Sequence, residues 1–182
     1  MHQDFSLTTF DNHQTPSGVK IDLRLHRKGN DLMFKYRVSG SVLELSSIKW
    51  PDERREMAAR RDELWKTTVF EFFVAVDGQA GYIEMNIAPS GDWNAYAFSN
   101  YRAGMLPVAS IAKTPLSSTS KDADSLALEG VIHLSDFQLV GPVVLGASAV
   151  LEYQDGRKEY WALAHRGEKP DFHLRDSFTA HV

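Results

Sequence analysis

Two apolar runs face each other across a four-residue break: "TVFEFFVAV" (68–76) and "GYIEMNIA" (81–88), joined through Asp77-Gly78-Gln79-Ala80. Read as an antiparallel hairpin, they admit one register, because side chains alternate between faces. A one-residue slip would exchange every buried group for an exposed one. Pairing Asp77 with Ala80 leaves Gly78-Gln79 as the loop and sets Glu71 opposite Asn86, Phe73 opposite Glu84 and Ala75 opposite Tyr82. One face then carries Phe70, Phe72, Val74, Val76, Ile83, Met85 and Ile87, without a side-chain nitrogen or oxygen, and is the expected core. The other face carries Glu71, Phe73, Tyr82, Glu84 and Asn86. Solvent alone does not call for aromatics beside two carboxylates and an amide. A polyhydroxylated ligand does, since ring faces cover C–H surface while carboxylates and amides bond hydroxyls in fixed directions. The competing reading is an outer face covered by the charged loop and the C-terminal chain, with the carboxylates paired to arginine.

The rest of the chain repeats the strand signal. Alternating or apolar runs at 19–28, 31–38, 94–98, 108–114, 125–133, 142–153 and 157–165 are separated by turn sequences such as Gly29-Asn30, "KDAD" and "QDGR". Helical periodicity is scarce: residues 53–64 suit either a solvated loop or about three helical turns, and Ser135-Asp136-Phe137 suits one short turn. Many short strands with few helices predict an all-β, antiparallel β-sandwich with one or two short helices. A length of 182 residues suits one domain, 1–182, with one core.

Composition excludes several classes. The formal net charge is -4, and the dense charge run at 52–63 mixes signs, so no basic footprint for nucleic acid exists. The chain has no cysteine, which rules out disulfides, thiolate metal sites and a cysteine nucleophile. The start "MHQDFSLTTFDNHQ" lacks a signal-peptide pattern, and no apolar stretch approaches the roughly 20 residues of a membrane helix. A cytoplasmic protein without membrane partners is expected.

Three blocks carry a family resemblance: "DELWKTTVFEFFVA" (62–75), "YIEMNIAPSGDWNAYAFSNYRAGM" (82–105) and "YWALAHRGEKPDFHLRDSF" (160–178). In this order they resemble the bacterial DOMON-like proteins related to family 9 carbohydrate-binding modules, over roughly residues 5–182. The resemblance implies a sandwich with jelly-roll or immunoglobulin-like layering that binds sugars or haem without catalysis. Family 9 modules hold a sugar end between two tryptophans, with a carboxylate, an amide and an arginine bonding it. That pattern matches Leu64-Trp65 and Glu71, and more loosely Asn86 and Arg102, while the second platform is either Trp93 or Trp161. Those modules also bind calcium, but no oxygen-rich calcium loop stands out here.

The expected centre is therefore Trp65, Glu71, Glu84, Asn86 and Arg102, with Trp93 or Trp161, Tyr96, His165, His173 and Arg175 around it. A carboxylate in the middle of an apolar strand needs a partner, and for Glu71 this is Arg102, Arg175 or a ligand hydroxyl. His165, Asp171 and His173 lack a standard metal spacing, so no metal is expected. "PSGDW" (89–93) needs only to be a turn. The expected function is non-covalent binding of a saccharide-like small molecule, with no cofactor. Two alternatives remain. Glu71 and Glu84 are diagonal neighbours at about 7–8 Å, which a glycoside hydrolase could use. Haem could be held through Met85 or His165, although Met85 falls on the core face and no CxxCH is present.

Overall fold

A computed structural model describes residues 2–10, 18–53 and 56–182. Its strands are β1 (His2–Thr9), β2 (Lys20–Lys28), β3 (Asp31–Ser39), β4 (Val69–Val76), β5 (Tyr82–Ile87) and β6 (Trp93–Phe98). They continue as β7 (Leu106–Pro107), β8 (Leu116–Lys121), β9 (Ser125–His133), β10 (Val143–Glu152), β11 (Lys158–Ala162) and β12 (Ala180–His181). One helix, α1 (Val42–Ser47), and single 3-10 turns at Leu64–Lys66, Leu134–Phe137 and Arg175–Ser177 complete the described elements.

Two antiparallel layers result. One runs β8-β9-β3-β2-β1 and the other β11-β10-β4-β5-β6-β7, with β12 beside β10. β1 links them: His2 to Leu7 pair with β2, and then Thr8 and Thr9 pair with β11. The layers are closed by rings that meet across the gap, Phe34 on Phe72 at 5.1 Å and Tyr36 on Phe70 at 4.8 Å between centroids. Trp50 adds an edge contact to Phe70 at 5.9 Å. Tyr36 brings a hydroxyl into this core and satisfies it by donating to the Glu71 main-chain oxygen at 3.1 Å. The expected all-β sandwich and the β4–β5 register, with Glu71 opposite Asn86 and Phe73 opposite Glu84, are what the structure contains.

Several segments settle or depart from the sequence reading. Residues 108–114 are not a strand. Val108 extends the β6 pairing by one bond, from its N–H to the Ala95 carbonyl. After that, the carbonyls of Val108 and Ile111 accept from the Arg60 guanidinium at 2.8 and 2.7 Å instead of from a neighbouring strand. The described part of 53–64 takes the loop option rather than the helical one, and Arg54 and Arg55 lie outside the described residues. With no apolar face to bury, this segment is held by polar bonds, a main-chain bridge at Arg60–Trp93 and the Arg60 guanidinium 4.4 Å above the Trp93 ring. α1 was not anticipated, although Ser41-Val42-Leu43-Glu44 is a capping box in which Ser41 Oγ accepts from the Glu44 N–H and Glu44 reaches back to the Ser41 N–H. β1 was also missed, because Leu7 is its single fully buried residue and the alternation is faint.

β9 carries Gly130 where the Pro115 carbonyl accepts from the Val131 N–H at 2.9 Å, beside a β8 bulge. A Cβ at Gly130 would collide with that carbonyl oxygen and lie 2.9 Å from the Phe34 ring. Gly130→Ala is expected to destabilise the protein by about 1–3 kcal/mol, as overpacking does. A lowered urea midpoint with unchanged slope would show it.

Candidate functional site

β4 is buried along its entire length on both faces. Its inward residues meet the core, and its outward residues, with those of β5, lie under a cover. That cover is the Leu64–Lys66 turn on one side and residues 163–178 on the other. Beneath it, Ser148 on β10 is the cross-strand neighbour of Glu71 and donates to Glu71 Oε2 at 2.7 Å. On β5, Asn86 Nδ2 donates to Glu84 Oε1 at 2.7 Å, while Asn86 Oδ1 is buried without a partner. Glu71 and Glu84 retain only 3% and 5% of their exposure, so both carboxyls are largely out of bulk water.

His173 is the part of the cover that reaches Glu84. Its ring packs on Phe73 and Phe98 at 5.1 and 5.2 Å, and its Nε2 lies 3.8 Å from Glu84 Oε2. The Tyr82 oxygen accepts from the Arg102 N–H at 3.2 Å, so its own proton is free for His173 Nδ1 at 2.8 Å. That arrangement puts the neutral imidazole's proton on Nε2, facing Glu84. Asp171 ties the rim together: it accepts from Tyr101 Oη at 2.6 Å, from Arg102 Nη2 at 2.9 Å and from the His173 N–H at 3.1 Å.

Trp65 stands at the opposite edge. Its indole meets Tyr96 edge-on at 6.1 Å, and Tyr96 Oη donates to Asp62 at 2.6 Å. Two of the three described non-glycine residues with positive φ flank this site: Glu63 (φ 62), just before the Trp65 turn, and Arg102 (φ 50). Each left-handed conformation costs on the order of 1 kcal/mol, offset by the bonds that place Trp65 and Arg102. Between these edges is a cavity of about 430 Å³, floored by Glu71, Phe73 and Glu84 and walled by Trp65, Arg102 and His173, with Tyr160 and Phe172 alongside. The size is within the range of small-molecule sites.

Burial, followed by the neighbouring Glu84 charge, pushes the Glu71 carboxyl up to about 8, against the Ser148 bond and the Arg102 charge. Glu84 is also raised, chiefly by burial, against the Asn86 bond and Arg102. The pair therefore keeps a proton near neutral pH. Burial first, and then the Arg102 charge, push His173 down to about 4, so its imidazole is neutral. Burial would push Asp171 up, but its bonds from Tyr101 and Arg102 and from the His173 N–H outweigh this and hold it below its ordinary value.

The structure brings together Trp65, Glu71, Glu84, Arg102 and His173, with Asn86 behind Glu84. It does not bring in the remaining candidates. Trp93 and Trp161 are both buried in the main core, on the inward faces of β6 and β11, so neither is a second platform. Tyr96 sits behind Trp65 and is bonded to Asp62. His165 Nε2 donates to the Thr8 carbonyl oxygen at 2.8 Å, and Arg175 packs over Phe178 at 4.7 Å. Neither proposed arginine bonds Glu71, because Arg102 is held by Asp171 and Arg175 points to the Val76 carbonyl oxygen. Among the described residues no group of three or more His, Asp or Glu side chains could hold a metal ion. Met85 lies in the core and His165 is bonded to a strand carbonyl, an arrangement that does not fit haem ligation. Sequence reading missed Ser148, Tyr160 and Phe172. Only the β10–β4 pairing and the fold of the C-terminal chain place them here, and neither is a local signal.

A larger groove of about 610 Å³ lies on the outer face of the other layer, lined by Asp4, Arg24, Lys35 and Arg37. Its charges already pair with one another or with neighbours, Arg24 with Asp4 at 2.7 Å and Lys35 with Glu129 at 3.2 Å. Phe5 is the one aromatic along it, against Trp65, Phe73, Phe98, Tyr160 and Phe172 in the smaller cavity.

No protein-family model and no curated protein matches the chain. Among solved structures, a presumed carbohydrate-binding protein from Bacteroides uniformis superposes with a TM-score of 0.67 at 17% identity, covering 97% of this chain and 84% of its own. A family 9 carbohydrate-binding module from Caldicellulosiruptor kristjanssonii, solved with cellotriose, aligns with a TM-score of 0.48 at 12% identity over 88% of this chain and 72% of its own. The same type of module solved with glucose gives 0.45 at 13% identity, over 82% and 69%. The likeness to the Bacteroides protein is one of fold.

The perturbed groups predict a pH dependence of stability. Glu71 rises from 4.5 to about 8 in the folded protein. The unfolded chain thus gives up this proton first, and the stability held at low pH is lost as pH rises toward 8. His173 falls from 6.5 to about 4, so it subtracts stability as pH drops below 6.5 and opposes Glu71 there. Between pH 6.5 and 8 Glu71 acts without that opposition. Denaturant unfolding in that window should show stability falling with pH, and Glu71→Gln should flatten the slope.

Proposed function

We propose that this protein is a non-catalytic binding protein for a saccharide or similar polyhydroxylated molecule, of DOMON-like type related to family 9 carbohydrate-binding modules. The observation that carries the reading is a single half-exposed tryptophan beside a cavity whose floor is a buried pair of carboxyls. Trp65 keeps 37% of its exposure, whereas Trp50, Trp93 and Trp161 keep 7%, 3% and 5%. An indole left in water at a cavity edge offers a flat face to the C–H surface of a sugar ring. Glu71, Glu84, Asn86 and Arg102 are the groups that would bond its hydroxyls in fixed directions. The description of the Bacteroides protein of the same fold as carbohydrate-binding supports the same class of ligand.

The distribution of tryptophans makes the test direct, because ligand entering the cavity changes the surroundings of Trp65 alone. Titration of the protein with a panel of mono- and oligosaccharides should quench or shift tryptophan emission. In Trp65→Ala the optical signal should vanish, and affinity read by calorimetry should fall about tenfold, or roughly 1.4 kcal/mol. A signal unchanged in Trp65→Ala would place the site elsewhere.

A further inference from the structure

The cavity contains more acid than its ligand-free walls can balance. Its lining has two carboxyls, Glu71 and Glu84, one guanidinium, Arg102, and one imidazole, His173. Arg102 is bonded to Asp171 at 2.9 Å and reaches the two carboxyls through its charge alone, not through a hydrogen bond. His173 takes a proton at Nδ1 from Tyr82 and faces Glu84 at 3.8 Å, longer than a hydrogen bond. Among the described residues no lysine or arginine pairs with either glutamate. What each receives is one neutral donor, Ser148 Oγ for Glu71 and Asn86 Nδ2 for Glu84. Around them the walls are aromatic: Trp65, Phe73, Phe98, Tyr160 and Phe172.

We propose that the ligand of this cavity carries a protonated amine, seated between Glu71 and Glu84 under the aromatic wall. On the saccharide reading above, on which this inference rests for the rest of the ligand, the ligand is an amino sugar rather than a neutral one. Three features agree. Two carboxyls out of water with only neutral donors are costly as anions, and a cation between them supplies the missing charge. Ring faces lining the same space attract cations through their quadrupoles. An ammonium has three donors and no acceptor, which suits oxygens that still have lone pairs free.

Proton balance follows. Without ligand, the pair holds one proton among the charged and titratable groups around it: Arg102 beyond β6, Asp171 and His173 in the C-terminal chain, the hydroxyls of Tyr82 on β5 and Tyr96 on β6, and, behind β4, that of Tyr36 on β3. When an ammonium enters, that proton leaves to solvent and both carboxyls bind the cation as anions. A neutral sugar leaves the proton in place.

The test is calorimetric titration at pH 7 with glucosamine, glucose, N-acetylglucosamine and cyclohexylamine, each in two buffers of different ionisation enthalpy. Glucosamine should bind at least tenfold more tightly than glucose or N-acetylglucosamine and should release close to one proton. Glu71→Gln should lose that release and most of the preference. Equal affinity for glucosamine and glucose without proton release would overturn the amine inference and leave the saccharide reading standing. Binding of cyclohexylamine as tight as glucosamine, with no response to any neutral sugar, would keep the amine and overturn the saccharide reading. Failure of both amines to bind the wild-type protein would overturn the inference outright. Because Glu71→Gln replaces a largely protonated carboxyl by its neutral isostere, its fold is checked by its unfolding transition before binding is compared.

Discussion

A carboxyl on a strand that is buried on both faces sets the terms for everything laid over it. β4 turns Phe70, Phe72 and Val74 into the core, so Val69, Glu71, Phe73 and Ala75 must point out, and none of β4 is left in solvent. Phe73 and Ala75 invite an apolar lid, which residues 163–178 supply through His173 and Phe178. Glu71 forbids that lid from closing fully, because a buried carboxylate without charge or donors would cost several kcal/mol. The compromise is a cover that seals over the aromatic half of the face and parts over the carboxyls. The cavity is what remains.

The two edges of that gap are held by polar devices rather than by apolar packing. On one side the segment before Trp65 has no hydrophobic stripe and is fastened instead by Arg60, which bonds Asn94 and two carbonyls and covers Trp93. Asp92 adds its own anchors, to the Ala59 N–H at 3.0 Å and the Arg61 guanidinium at 2.9 Å. On the other side Asp171 holds Tyr101 and Arg102 in place. A polar scaffold of this kind fixes direction better than oily contact, because each bond has a preferred geometry. It also explains why Glu63 and Arg102 tolerate left-handed backbone: each is over-determined by its neighbours.

Much of the hairpin was legible in the sequence, since its parity rests on one rule, the alternation of faces, applied to strands with clear contrast. Glu71, Glu84 and Asn86 on one face, and Phe70, Phe72 and Met85 on the other, follow from that rule alone. Trp65 needed the family resemblance, because a lone tryptophan after a polar segment has no periodicity to read. The errors share a cause. The run at 108–114 was read from local character, and Trp93 and Trp161 were drawn in by the family resemblance. Their places are decided by Arg60 and by the inward parity of β6 and β11, contacts with distant parts of the chain. Ser148 as the partner of Glu71 was equally out of reach, because the β10–β4 pairing joins residues 77 positions apart in the chain. The covered-face reading proved half right: the Leu64–Lys66 turn and the C-terminal chain do cover the hairpin, yet among the described residues no arginine pairs with the carboxyls.

The same geometry bears on the choice between binding and hydrolysis. A glycosidase places its two carboxyls on either flank of the bond to be broken, one to protonate the leaving oxygen and one to act from the opposite face of the sugar. Glu71 and Glu84 share one face of one hairpin and both form the floor of the cavity. A sugar ring lying over them meets both from the same side. His173, whose Nε2 lies 3.8 Å from Glu84, faces the pair from above, but it is neutral and its Nδ1 is occupied by Tyr82, so it is poorly placed to act as the acid. Carboxyls on one face, with Glu71 pushed up to about 8, are suited to gripping a donor-rich group, and an ammonium is the donor-rich group with the charge they lack.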